Sequence, residues 1–187
     1  MSTSNPFQNA IASSPQSKAR VAGVFYLGTI IAGASALVFA NGQMIANMVA
    51  TICYVGVTLL FYHIFKPVNK NISLLAAFFS LAGCVSGALR PYAVLPSFIP
   101  NPLVFFGVYC LLIGYLIFRS TFLPKILGVL MAIGGLGWLT FLSPSLVDSL
   151  APFNLAPGIL GESALTLWLL AKGVNVQEWK KLALANA

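Results

Sequence analysis

The sequence predicts an all-α polytopic membrane protein, a bundle of six transmembrane helices with both the N and C termini in the cytoplasm. Composition is the first observation that favours this fold class. Of the 187 residues, 59% are hydrophobic and only 7% are charged, and the mean hydropathy is +0.92. A soluble domain carries about 25% charged residues, so this chain has too few of them to cover a water-facing surface. Most of its surface is therefore expected to face lipid.

Turn formers and basic residues divide the apolar sequence into six stretches, and a helix needs about 20 apolar residues to cross a bilayer. The breaks are ANGQ, KPVNKN, the three-proline segment LPSFIPNP, RSTFLPK and the longer loop SPSLVDSLAPFNLAP; proline does not fit a helix interior. They delimit an N-terminal cytoplasmic tail (1–19), a transmembrane domain (20–174) and a C-terminal cytoplasmic tail (175–187). Within that domain the predicted helices are 20–40, 44–65, 72–93, 103–119, 124–142 and 157–173.

The distribution of basic residues predicts the orientation of these helices. In a six-helix arrangement nine of the 10 lysines and arginines lie at one end, and Arg90 lies toward the other. Cytoplasmic segments of membrane proteins carry an excess of Lys and Arg, so both termini are expected there. The nine are Lys18, Arg20, Lys66, Lys70, Arg119, Lys125, Lys172, Lys180 and Lys181.

The C-terminal tail has a pattern of its own. Val176, Trp179 and Leu182 recur at three-residue spacing beside Lys180 and Lys181. Tryptophan favours the headgroup region of a bilayer, so this tail is expected to lie at the cytoplasmic interface. A frayed end is the alternative.

Polar residues recur along the second predicted helix. They lie at steps of four, three, four and four residues and so form one stripe, which is expected to face the bundle interior because lipid would leave its polar groups unsatisfied. Interhelical hydrogen bonding is the preferred interpretation, and a polar cavity is the alternative. The stripe consists of Asn47, Thr51, Tyr54, Thr58 and Tyr62.

A carboxyl group in the middle of the sixth predicted helix is the most unusual feature. Glu162 lies in the run GILGESALTLWLL, and Arg90 lies at a similar depth at the end of the third predicted helix. An isolated charge within the membrane is costly and pairing relieves this cost, so we expect an Arg90–Glu162 ion pair. The pair is either a structural pin or part of a functional site. The predicted ligand-binding or structural polar cluster comprises Glu162, Arg90, Asn47, Thr51, Tyr109 and Thr166.

Other chemistry is sparse, and the sequence identifies no cofactor, metal site or catalytic residue. His63 is the sole histidine, the three cysteines lie in apolar runs, and there are three acidic residues. These residues supply no base for a nucleophile and too few ligands for a metal. The net charge of +7 is spread over single residues, which does not indicate nucleic-acid binding.

Three function classes follow from these observations. The preferred one is a non-enzymatic subunit or a lipid- or small-ligand-binding accessory protein, with the lipid bilayer and a membrane-protein partner or larger assembly as its partners. The alternative is a small transporter or channel that uses the polar stripe and Glu162, although no broken helix or clear internal repeat accompanies them. An intramembrane enzyme has the least support.

Three segments carry a resemblance to a known family: KARVAGVFYLGTIIAG in the first predicted helix, IGYLIFRSTFLPKILGVLMAIGGLGWL through the fourth and fifth, and GESALTLWLLAKGV in the sixth. Over residues 18–174 the chain resembles a bacterial membrane family known as domain of unknown function 4386. Gly161, Glu162 and Trp168 match the family pattern, and the segment from about 90 to 102 is shorter. The resemblance implies a six-helix protein of the bacterial inner membrane and no particular activity.

Overall fold

The computed structural model describes residues 14–38, 42–92, 94, 96 and 98–186. Three short 3-10 turns, Arg90–Tyr92, Thr140–Leu142 and Phe153–Leu155, adjoin the longer helices. In chain order the α-helices are α1 (Pro15–Val38), α2 (Gln43–Phe65), α3 (Lys70–Leu89), α4 (Pro102–Arg119), α5 (Lys125–Leu139), α6 (Pro144–Leu150), α7 (Ala156–Ala171) and α8 (Val176–Ala185).

Six of these helices, α1 to α5 and α7, are long and apolar enough to cross a membrane when their adjoining 3-10 turns are included. The described residues contain no β-strand. The predicted all-α, six-span membrane fold is therefore confirmed.

The first helix begins earlier than predicted because the preceding residues form a helix start. The Ser14 hydroxyl accepts a hydrogen bond from the Ser17 backbone N–H at 3.2 Å, and Pro15 occupies the first helical position, where its missing N–H costs nothing. The rest of the predicted N-terminal tail, residues 1–13, lies outside the described residues. So do the predicted ends of the first and third helices, at 40 and 93.

The predicted long loop before the sixth span is wrong in part, because it contains the helix α6 and a 3-10 turn. Pro144 lies in the first turn of α6, a position that proline favours. Asn154, in the 3-10 turn, is buried and donates a hydrogen bond through Nδ2 to Thr140 Oγ1 at 3.2 Å. The connection is therefore held against the end of α5.

The six long helices form a closed ring. Each packs on its neighbour in the chain from α1 to α5, α5 then packs on α7, and α7 packs on α1. The ring has two ends. We call the end where α3 finishes and α2, α4 and α7 begin the Arg90 end, and the opposite end the lysine end, since the segments that carry the nine other basic residues meet there.

Side-chain hydrogen bonds join the segments at the lysine end. Gln16 Nε2 donates to the Lys172 carbonyl at 2.8 Å, and Gln16 Oε1 accepts from the Val174 N–H at 3.0 Å. Gly173 allows this turn because its φ of 70° lies in the left-handed region. The predicted interfacial tail is the helix α8, whose Trp179 donates through Nε1 to the Ile64 carbonyl at 2.8 Å. This helix therefore packs against the end of α2.

Glycines allow α4 and α5 to pack backbone against backbone. A Cβ on Gly107 would lie 3.0 Å from the Gly135 carbonyl oxygen, and a Cβ on Gly114 would lie 2.7 Å from that of Gly128. Contacts this short leave no room for a side chain, as at other small-residue interfaces between membrane helices. The two helices of the α4–α5 hairpin therefore pack closely along their length.

Candidate functional site

Glu162 lies in the interior of the ring, where its side chain is 9% exposed. Its carboxyl Oε1 accepts a hydrogen bond from Trp138 Nε1 on α5 at 3.1 Å and a longer one from the Cys110 thiol on α4 at 3.5 Å. The Tyr26 hydroxyl on α1 also lies close to this carboxyl group. We call Glu162, Trp138, Cys110 and Tyr26 the interior cluster; it joins four of the six spans.

The position of Trp138 depends on a glycine one turn before Glu162. A Cβ on Gly158 would overlap the indole ring of Trp138. The indole therefore lies directly against the α7 backbone at Gly158, and from there its N–H reaches the carboxyl group one turn away. Gly161 brings the same two helices together, because a Cβ there would lie 2.6 Å from the Leu130 carbonyl oxygen.

Aromatic rings fill the interior beside this cluster. The ring of Tyr54 on α2 lies 5.6 Å from that of Tyr26, 5.7 Å from that of Tyr109 and 4.5 Å from that of Phe106, between centroids. The Tyr26 and Tyr54 hydroxyls are 3.5 Å apart, which is a weak hydrogen bond at best. The Tyr109 hydroxyl is buried and has no hydrogen-bond partner within the described part of the chain.

The predicted Arg90–Glu162 ion pair is wrong. Among the described residues the only ion pair joins Lys181 and Glu178, with 2.7 Å between Nζ and Oε1. Arg90 is exposed directly after α3, and α3 and α7 are not neighbours in the ring. Arg90 follows the end of α3, whereas Glu162 lies in the second turn of α7. The donors to the carboxyl group come from α4 and α5 instead.

The structure divides the predicted polar cluster into two groups. Glu162, Thr166 and Tyr109 are buried in the interior. Thr166 donates its hydroxyl hydrogen to the Glu162 backbone carbonyl at 2.7 Å, so the donor of this hydroxyl group finds its acceptor within the same helix. Asn47 and Thr51 lie elsewhere, in a surface cleft.

That cleft lies between the first half of α2 and the end of α3, at the Arg90 end. It has a volume of about 350 Å³, and we call it the α2–α3 cleft. Its walls are largely apolar, Asn47 and Thr51 supply polar groups, and Arg90 lies between two wall residues, Leu89 and Pro91. The full lining is Met44, Asn47, Met48, Thr51, Ile52, Gly87, Ala88, Leu89, Pro91 and Tyr92.

The polar stripe of α2 faces the interior only in its middle. Tyr54 and Thr58 are buried, and Thr58 makes an interhelical hydrogen bond of 2.5 Å between its Oγ1 and Ser80 Oγ on α3. Asn47, by contrast, is exposed and Thr51 is half-buried. The prediction of a continuous interior stripe is therefore wrong at the Arg90 end, where α2 and α3 leave a cleft between them.

Sequence reasoning missed three members of the interior cluster: Trp138, Cys110 and Tyr26. Trp138 had a usable signal, because a buried indole N–H needs an acceptor and Glu162 is the nearest carboxyl group in an apolar span. Cys110 and Tyr26 had none, since each is also typical of an apolar core. Among the described residues no group of three or more His, Cys, Asp or Glu side chains is placed to hold a metal ion.

Comparisons with known proteins reveal one matching family and a distant relative. The family model described as "Domain of unknown function (DUF4386)" matches residues 101–173, a range that contains Cys110, Trp138 and Glu162. An uncharacterized protein of Archaeoglobus fulgidus is 30% identical over an alignment of 135 residues that covers 66% of this chain and 79% of the relative. No solved structure matches the chain.

Proposed function

The chain belongs to the DUF4386 family, to which no activity is assigned, and for this member we propose a non-enzymatic role in binding a phospholipid in the α2–α3 cleft. The protein is a multi-pass membrane protein with six spans. Lipid surrounds such a protein at high concentration, and a cleft on the outer surface of the bundle is in direct contact with it. We extend this proposal to a place in the bacterial inner membrane, in keeping with the family resemblance.

The observation that carries the proposal is the composition of the cleft walls. Binding sites for small molecules are mostly apolar, with a few placed polar groups, and have volumes of about 300–1,000 Å³. The α2–α3 cleft has about 350 Å³, with Met48, Ile52 and Leu89 among its apolar walls and Thr51 and Asn47 as polar groups. This pattern suits one acyl chain better than a water-soluble substrate.

The position of the cleft supports a lipid with an anionic headgroup. It opens where α3 ends, and Arg90 and Tyr92 there are both exposed. Arginine binds phosphate oxygens through a planar set of N–H donors, and tyrosine is enriched where the bilayer meets water. The acyl chain would therefore lie along the cleft, with the phosphate group at Arg90.

The orientation is part of the same proposal. The nine basic residues of the lysine end belong on the cytoplasmic side by the excess of Lys and Arg found there. The Arg90 end and the cleft would then face the opposite side of the membrane, and the lipid would come from the outer leaflet. Labelling of a cysteine introduced at Asp148 on α6, which is exposed at the Arg90 end, by an impermeant thiol reagent tests this orientation.

The proposed lipid binding is tested by native mass spectrometry of the protein extracted gently from its own membrane. Wild type should retain a phospholipid mass. A charge-assisted hydrogen bond contributes about 1.5–3 kcal/mol, so Arg90→Gln should weaken retention at least tenfold. Arg119→Gln is the matched control, because Arg119 is exposed at the lysine end. A bare wild-type protein, or an equal loss in both variants, would contradict the proposal.

The apolar half of the cleft is tested by filling it. Ala88 lines the cleft and is exposed, so Ala88→Phe should displace the acyl chain without disturbing the core. Leu74→Phe, on the membrane-facing surface of the same helix, is the control, since Leu74 is 57% exposed and lies outside the cleft. Retention that survives Ala88→Phe would place the lipid elsewhere.

A proton-coupled transporter or channel is the second candidate, and one observation favours it. Glu162 is buried within the ring, and no Lys, Arg or His side chain pairs with it among the described residues. Ionisable groups at such positions often belong to proton or ion pathways. In proteoliposomes with a trapped pH indicator, wild type should then dissipate an imposed pH gradient and Glu162→Gln should not. Equal rates for the two proteins and for empty liposomes would exclude this candidate.

A further inference from the structure

A polar pocket lies at the lysine end, across the bundle from the α2–α3 cleft. It is formed by the turn between α2 and α3 together with Asn186, the residue that follows α8, and its volume is about 280 Å³. Two lysines and three asparagines dominate its lining, which consists of Lys66, Pro67, Val68, Asn69, Lys70, Asn71 and Asn186. We call it the basic pocket.

Hydrogen bonds give this pocket a defined shape. Asn69 Oδ1 caps α3 by accepting from the Ile72 N–H at 3.0 Å. This bond fixes the position of the turn relative to the start of α3. Asn186 Nδ2 donates to the Pro67 carbonyl at 3.0 Å and to the Leu182 carbonyl at 3.3 Å. Asn186, directly after α8, is therefore held against the turn and forms one wall of the pocket.

The pocket carries an excess of positive charge. Lys66 and Lys70 both line it and are exposed, and neither pairs with an acidic side chain in the described ranges. Lys18 and Lys66 both lie near His63, so further basic groups stand beside the pocket, and among the described residues no acidic side chain lines it. Lysine ammonium groups and asparagine amides together present donors, which is the set that a phosphate group requires.

We propose that the basic pocket binds a phosphate group, held by the ammonium groups of Lys66 and Lys70 and by the amide of Asn71. Basic pockets at the cytoplasmic ends of transmembrane helices bind lipid headgroups in this way. The same chemistry would also accept a soluble phosphate. This site is separate from the α2–α3 cleft, and phosphate binding here does not depend on the function proposed for that cleft.

The test measures phosphate binding to the full-length protein in nanodiscs of zwitterionic phosphatidylcholine. The two probes are dioctanoyl phosphatidic acid and inorganic phosphate, titrated separately by calorimetry. Each lysine near a membrane surface contributes enough to anion binding that removing two weakens it roughly 30-fold. Lys66→Gln with Lys70→Gln should therefore raise the Kd for the binding probe by about this factor.

A matched double variant separates the pocket from net charge. Lys172→Gln with Lys180→Gln removes the same charge from exposed positions at the same end and should change the Kd less than threefold. The lysine-dependent binding should also persist in Arg90→Gln, which removes the basic side chain beside the cleft. Dependence on Lys66 and Lys70 with phosphatidic acid alone identifies a lipid headgroup, and the same dependence with inorganic phosphate identifies a soluble anion. Equal losses in the two double variants, or no binding of either probe, would overturn the proposal.

Discussion

The Trp138–Glu162 hydrogen bond is the contact in the interior whose energy can be measured most cleanly. Trp138→Phe removes the indole N–H and keeps an aromatic ring, and Glu162→Leu removes the acceptor and keeps most of the volume. The two side chains are buried and their donor–acceptor distance is 3.1 Å. Side-chain hydrogen bonds within membrane proteins average about 0.6 kcal/mol and reach about 1.7 kcal/mol. We expect a coupling free energy in the upper half of that range.

The assay is a double-mutant cycle on the free energy of unfolding, measured by denaturation with sodium dodecyl sulfate in mixed micelles. Losses of packing in each single variant cancel in the cycle. The control cycle pairs Glu162→Leu with Arg90→Leu. Those two substitutions should be additive within about 0.3–0.5 kcal/mol, because Arg90 is exposed and forms no ion pair among the described residues. If the free-energy changes of Glu162→Leu and Trp138→Phe were additive and those of Glu162→Leu and Arg90→Leu were coupled, the hydrogen-bond partners assigned to Glu162 would be wrong.

Two further predictions concern packing. Gly158→Ala should destabilise the protein by about 1–3 kcal/mol, because the added methyl group overlaps Trp138 and forces it to move. Gly33→Ala is the control, because among the described residues no atom outside its own helix backbone lies within 4 Å of the added Cβ. It should leave stability unchanged or raise it by up to about 1 kcal/mol, and equal destabilisation in the two variants would contradict the tight contact. Trp179→Phe removes a 2.8 Å hydrogen bond to the Ile64 carbonyl, which contributes about 0.5–1.5 kcal/mol. Amide hydrogen exchange should therefore become faster in α8 before it does in the rest of the protein. Unchanged exchange in α8 would contradict the packing of this helix against the end of α2.

The sequence allows the number of spans to be predicted because it depends on local composition. Long apolar stretches separated by basic or proline-containing turns correspond to α1 to α5 and α7. The same reasoning assigns nine basic residues to one end, since alternate turns of an even-numbered bundle share a side. Short helical segments are harder to predict. The helix α6 lies within a sequence rich in serine and proline, where capping interactions determine whether a helix forms.

The partners of Glu162 could not be predicted because depth does not specify rotation or ring position. The sequence predicts a similar depth for Arg90 and Glu162, which have opposite charges, yet α3 and α7 are not neighbours in the ring. The closing contact between α7 and α1, and the glycines that bring α5 onto α7, decide which side chains meet the carboxyl group.

The most direct test of the proposed lipid site is photo-crosslinking of the lipid that survives extraction. Cells are supplied with a phosphatidylglycerol whose acyl chain bears a diazirine, the protein is purified in mild detergent and illuminated, and adducts are mapped by peptide mass spectrometry. If the lipid occupies the cleft, adducts should be concentrated on Met48 and Leu89 of the α2–α3 cleft. Adducts spread equally over membrane-facing residues such as Leu74 and Ile126, which are 57% and 60% exposed, would contradict it.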